Sequence, residues 1–189
     1  MIRAIIFDCF GVLVKDHASV VKEKYFSDNL DDRAEFQELN RRSCKGELSW
    51  SELLTEVAEL ASVSVSEIRE TFDNNPRNNE LLDFIAHDLK PKYKIGFLSN
   101  ASTDHVHELF TPEQIKLFDD VVLSYQVHMI KPNPKIYKLA AERLNVEITE
   151  CLLVDNSARY VEGAENVGMR GIVYRSFDQF RNDLEKCNA

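Results

Sequence analysis

Five short apolar runs, most of them halted by a side chain able to do chemistry, constrain this chain more than any other feature. Ala4 to Phe7 stops at Asp8, Ile95-Gly96-Phe97-Leu98 at Ser99-Asn100, Val121-Val122-Leu123 at Ser124, and Cys151-Leu152-Leu153-Val154 at Asp155. Gly171-Ile172-Val173-Tyr174 ends near Arg175. Runs of four or so β-rich apolar residues bounded by polar ones read as strands buried on both faces, the signature of a parallel sheet.

Between the later runs lie helical stretches at His105 to Phe110, Pro134 to Leu144, Ala158 to Val167 and Phe177 to Lys186. Strands alternating with helices of this length predict right-handed βαβ crossovers. The expected fold is therefore α/β, a Rossmann-like parallel sheet with helices on both faces. Lys15 to about Lys90 breaks the rhythm: it has no convincing strand and places apolar residues three and four apart. Ser49 with Glu52 forms a capping-box pattern ahead of Leu53, Leu54, Val57 and Leu60. We expect a small all-helical unit at 15–77 inserted in a core made of 1–14 and 78–189, with hinges around Val14 to Asp16 and Asn74 to Asn78.

With 189 residues there is room for one α/β domain carrying such an insertion. The net charge of −9 argues against a nucleic-acid partner, since phosphate backbones are bound by basic faces. No apolar run approaches the roughly 20 residues that would span a bilayer, and Met1-Ile2-Arg3 leads straight into a strand rather than a signal segment. A cytoplasmic protein with no membrane partner is the expectation, as a monomer or weak dimer. Cys9, Cys44, Cys151 and Cys187 are scattered without a CxxC pair, so reduced and mostly buried thiols are expected.

In parallel sheets ligands bind beyond the carboxyl ends of the strands. There this sequence gathers a carboxylate (Asp8), a hydroxyl and an amide (Ser99, Asn100), a cation (Lys131) and a second carboxylate (Asp155), with Asn156 beside it. A carboxylate such as Asp8 can attack phosphorus or an activated carbon, splitting one hard displacement into two easier ones. Attack on a dianion needs charge cancelled nearby, which Lys131 supplies, and donors for the transferring oxygens, which Ser99 and the amides near Cys9 and Phe10 supply. Asp8 and Asp155 also suit the one or two carboxylates that magnesium takes from a protein.

The motifs Ile5-Ile6-Phe7-Asp8-Cys9-Phe10-Gly11-Val12-Leu13, Phe97-Leu98-Ser99-Asn100, Lys131-Pro132-Asn133-Pro134 and Leu153-Val154-Asp155-Asn156-Ser157, followed by Gly163-Ala164, resemble those of the haloacid dehalogenase superfamily. The resemblance covers nearly the whole chain. It implies a magnesium-dependent phosphatase acting on a small phosphorylated molecule, with the helical insertion as a cap. It implies Asp8, Ser99 and Lys131 as catalytic residues and Cys9, Phe10, Asn100 and Asn156 as substrate contacts. Asp8, Asp155 and the carbonyl of Phe10 are the implied metal ligands.

Two positions depart from that pattern. Phosphatases of the family carry a second Asp two residues after the nucleophile, to protonate the leaving oxygen and activate water; here Phe10 stands there, and a phenyl ring does neither. The second acid of the last motif is Asn156. Three readings stay open: a phosphatase for esters whose leaving group needs little protonation, a 2-haloacid dehalogenase, and a non-catalytic binding relative. His17 and His128 are candidates for the missing proton handler, with surface roles the simpler expectation. Trp50 is expected in the core.

Overall fold

The computed structural model describes residues 1–74 and 76–188. Its sheet has five parallel strands: β1 (Ala4–Phe7), β2 (Lys94–Ser99), β3 (Asp120–Leu123), β4 (Cys151–Asp155) and β5 (Arg170–Val173), in the order β3-β2-β1-β4-β5. β1 is central. Ile6 pairs with Gly96 on one side and Leu153 on the other, so the ends carrying Asp8, Ser99 and Asp155 lie side by side.

Alternation along each strand sorts the core into two layers. Ile5, Phe7, Ile95, Phe97, Leu152 and Val154 face a cluster containing Leu81, Ile85, Phe180 and Leu184. These belong to α5 (Asn79–Phe84), the wide turn Ile85–Leu89 that continues it, and α11 (Phe177–Asn188). Ala4, Ile6, Leu98, Cys151 and Leu153 face Ile136, Tyr137, Ala140 and Ala164. Those come from α9 (Pro134–Arg143) and α10 (Ala158–Glu165). The expected α/β architecture with helices on both faces is thus observed.

The helical block contains α1 (His17–Phe26), α2 (Leu30–Cys44), α3 (Trp50–Ala61) and α4 (Val65–Asp73). They bury their own cluster of Val21, Phe26, Phe36, Leu53, Leu54, Val57 and Ile68. Each such side chain removed from water contributes about 1.5–3 kcal/mol, enough together to hold the helices as a unit. The capping box read at Ser49 and Glu52 is present. The two crossings into this unit run together: Val14 bridges to Arg77, Lys15 N–H donates to the Pro76 carbonyl and Asn78 N–H to that of Leu13. Of the expected second hinge, Asn75 lies outside the described residues.

Several elements differ from the sequence expectation. The helix placed at His105 to Phe110 is one turn, α6 (Val106–Leu109), followed by another, α7 (Pro112–Ile115), that Thr111 and Gln114 cap reciprocally. The stretch Asn79 to Leu89 widens after Phe84, with the Lys90 N–H reaching the carbonyl of Ile85. Ser124, read as a strand-end group, opens α8 (Ser124–Val127). Its hydroxyl is spent holding Ala101 N–H at 3.0 Å and the Cys44 carbonyl at 2.5 Å, which ties the helical unit to the core.

Candidate active site

Asp8, one residue beyond β1, starts the turn that carries the chain out of the sheet. Its backbone N–H is fixed by the Val154 carbonyl at 2.9 Å, and the amides of Leu13 and Val14 fold back onto the Cys9 carbonyl. Gly11 makes this turn possible at φ +89°, and a Cβ there would stand 2.6 Å from Cγ of Asn156. Only a residue without a side chain meets both demands. Asn156 consequently sits against the turn, exposed and lining the cavity.

Lys131 reaches in from the loop after α8. Its ammonium donates to Asp8 Oδ1 at 2.7 Å, Asp155 Oδ2 at 2.6 Å and the Leu98 carbonyl at 3.0 Å, using all three protons. Two contacts hold this loop. Asn100 clamps the Lys131 peptide, its Oδ1 accepting from the backbone N–H at 2.8 Å and its Nδ2 donating to the carbonyl at 3.2 Å. Gly163 lets α10 approach, since a Cβ there would lie 2.6 Å from Cβ of Pro132. The Tyr160 ring lies 5.2 Å from the ammonium. Asp155 is oriented by the Ser157 N–H, which donates to Oδ1 at 2.8 Å.

Lys131 is 1% exposed, Asp155 0% and Asp8 9% at their side chains. Burial works against the lysine's charge, but Asp155 and Asp8 outweigh it and hold the ammonium above its usual range. For Asp8, burial raises the carboxyl, Lys131 pulls it back and Asp155 raises it again, leaving it pushed up to about 7. Two carboxylates facing one ammonium leave the site short of positive charge. Burial also pushes the Cys9 thiol far up, so it is no nucleophile.

Above these residues opens a cavity of about 1180 Å³ between the strand ends and the helical unit. Asp8, Phe10, Asn100, Lys131 and Asn156 line it; Cys9, Ser99 and Asp155 do not. Ser99 is buried at the end of β2 with its hydroxyl unpartnered among the described residues. Asn100, expected at the substrate, has both amide atoms on the Lys131 peptide, a role that shows only when the two loops are side by side. His128 is directed elsewhere, Nδ1 facing the Lys45 carbonyl at 3.0 Å. Trp50 is half-buried and lines the cavity, and so do His17, His105 and Phe72. No local sequence signal marks this aromatic group as part of the site.

A magnesium ion fits this donor set. The two carboxylates converge closely enough to share one ammonium, their charge exceeds that of the single lysine, and no third His, Cys, Asp or Glu crowds them among the described residues. That leaves coordination positions for water and phosphate oxygens, as magnesium prefers.

Comparison with known proteins accords with this geometry. A phosphatase of Mycobacterium tuberculosis is 37% identical over 93 residues, 48% of this chain and 43% of that protein. A glyceraldehyde 3-phosphate phosphatase of Pyrococcus abyssi is 31% identical over 85 residues, 44% of this chain and 36% of that one. The matched segments thus span less than half of these relatives. A haloacid dehalogenase family enzyme of Bacteroides thetaiotaomicron, solved with magnesium and inorganic phosphate, shares the fold with a TM-score of 0.73 at 22% identity, over 94% of this chain and 96% of that one. The L-2-haloacid dehalogenase of Xanthobacter autotrophicus does so with a TM-score of 0.67 at 20% identity, over 98% and 83%. The family model for haloacid dehalogenase-like hydrolases matches residues 2–168, and the chain belongs to that family.

Proposed function

We propose that this protein is a magnesium-dependent phosphatase that hydrolyses a small phosphorylated molecule through a phosphoaspartyl intermediate on Asp8. The observation that carries the reading is the buried Lys131 ammonium shared by Asp8 and Asp155 at the floor of the cavity. Asp8 is the nucleophile, Lys131 keeps it ionised and screens the incoming dianion, and Asn100 positions Lys131. The amides of Cys9 and Phe10 are donors for the transferring oxygens, while the Ser99 hydroxyl, expected in the same role, is buried at the end of β2 off the cavity wall. Asp8, Asp155 and the Phe10 carbonyl would hold the magnesium, which when bound would supply the positive charge that this carboxylate pair lacks. Residues 15–77 act as a cap that closes the cavity and limits water.

The named relatives support the class, since both are phosphatases. Turnover of a general phosphatase substrate with magnesium, its loss on chelation, and a mass increment of one phosphoryl group on Asp8 in acid-quenched protein are the expected results. Asp8→Asn gives none of them. Undiminished turnover by Asp8→Asn would overturn the assignment.

Phe10 favours a second reading, 2-haloacid dehalogenation, because a departing halide needs no proton. Release of halide from a 2-halopropionate in the presence of chelator, with no phosphate ester cleaved, would establish it instead.

A further inference from the structure

The wall of the cavity next to Asp8 is a row of rings contributed by both parts of the molecule. Phe10 meets His105 edge-on, with centroids 5.9 Å apart and planes at 84°. His105 meets Trp50 at 5.3 Å and 86°, and Trp50 meets Phe72 at 5.0 Å and 76°. His17 tilts against Phe10 at 6.3 Å. All five line the cavity, and Phe10, Trp50 and His105 are only half-buried, so ring surface remains for a ligand.

The cavity holds ionisable groups, Asp73 and Glu108 among them, but beside Asp8 itself the turn offers no second carboxyl group. Phe10 occupies the position of the expected acid. Asp16 is committed to capping α1 through Ser19 N–H at 3.2 Å and Ser19 Oγ at 2.5 Å, and Glu38 is clamped by Arg41 at 2.5 and 2.6 Å. His17 Nδ1 faces the Phe72 carbonyl, and His105 Nδ1 stands 3.6 Å from Glu108. With Phe10 in place of that acid, an ester whose leaving group is stable as an anion and packs against rings suits this wall best.

We propose that the substrate is an aryl phosphate monoester, its ring held along Phe10, His105 and Trp50 and its phosphoryl group directed at Asp8. The inference rests on the phosphatase reading above. A carboxylate oxygen of Asp8 bonds to phosphorus as the bond from phosphorus to the aryl oxygen breaks, and the electron pair leaves with the aryloxide. Water then attacks the phosphorus of the acyl phosphate, which returns Asp8 as carboxylate and releases hydrogen phosphate and one proton; the aryloxide takes up that proton from solvent. A phenol ionises near pKa 10, about the value for a tyrosine side chain, several units below an aliphatic alcohol, so it departs where an alkoxide would wait for an acid.

The test compares kcat/KM of the magnesium-loaded protein for substituted phenyl phosphates, butyl phosphate and acetyl phosphate. Phenyl phosphates are expected to exceed butyl phosphate by about 100-fold or more, the lower end of what a general acid supplies, and to speed up as substituents make the phenol more acidic. Phe10→Asp should raise butyl phosphate turnover and flatten that dependence. Trp50→Leu should raise KM for phenyl phosphate about 2- to 10-fold more than for acetyl phosphate, in line with the loss of one ring contact. Butyl and phenyl phosphates cleaved within about tenfold of each other, or a Trp50→Leu effect equal on acetyl phosphate, would overturn the aryl inference while leaving the phosphatase reading intact. Turnover of none of the three, acetyl phosphate included, removes both.

Discussion

Lys131 Nζ stands 2.6 Å from Asp155 Oδ2, and neither side chain exposes more than 1% of its surface. With Asp8 at 2.7 Å on the same ammonium, the lysine is, among the described residues, the only full positive charge in contact with these two buried carboxylates. Removing one partner of a buried ion pair costs about 3–5 kcal/mol, because the remaining charge stays desolvated. Lys131→Met should therefore lower the stability measured by urea unfolding by about that much. Magnesium should return part of the loss, since a cation that binds only the folded state stabilises it by mass action. A loss below about 1 kcal/mol would show that the carboxylates do not depend on this cation.

Magnesium should act on the native protein as well. Thermal unfolding with and without chelator is expected to show a higher Tm with the ion in wild type and no shift in Asp155→Asn, which keeps the shape of the side chain but loses the charge. Its single amide oxygen cannot accept from both Lys131 and the Ser157 N–H, so the variant starts from a lower Tm, and the ion's effect is read as the shift between its own chelated and magnesium-loaded samples. An equal Tm shift in both proteins would place the ion elsewhere.

Much of this architecture is legible in the sequence for physical reasons. Buried parallel strands must be continuous apolar runs, and the residues that halt them must sit at the ligand edge, so Asp8 and Asp155 announce themselves locally. The central position of β1 is not local: it follows from Ile6 pairing with both Gly96 and Leu153, partners 90 and 147 positions away by their numbering. The row of Phe10, His105, Trp50 and Phe72 draws on segments far apart in the chain, each with an ordinary local context. Asn100 reads as a strand-end amide facing substrate, yet its partner is the Lys131 backbone, which donates and accepts wherever it is placed and carries no sequence signal.

The turn after Asp8 is expected to be sensitive to one methyl group. Gly11→Ala would force a Cβ against the Asn156 side chain at a backbone φ of +89°. A non-glycine residue with positive φ costs about 1–2 kcal/mol before any clash. Gly11→Ala should destabilise by at least that amount, and Gly11→Ala/Asn156→Ala should recover the clash but not the backbone strain. Double-mutant stability separates the two contributions. Strict additivity of the single changes would mean that Asn156 simply moves aside.

Away from the site, Asp120 offers a stabilising change. Its Oδ2 is buried with no hydrogen-bond partner among the described residues, and Arg143 approaches only to 3.9 Å. Burial raises its carboxyl above the usual value of 3.8, with Arg143 and the Val121 amide pulling the other way. Between the unfolded and folded pKa values the folded chain holds more protons, so stability falls as pH rises through that window, and the full penalty is present at neutral pH. Asp120→Asn removes it. The side chain is about a quarter exposed, and solvent screening limits the gain to about 1 kcal/mol or less. Urea midpoints should therefore favour Asp120→Asn at pH 7, with the advantage shrinking as pH falls through the window between the folded and unfolded values. An advantage independent of pH would mean that packing, not the buried charge, is what the substitution changes.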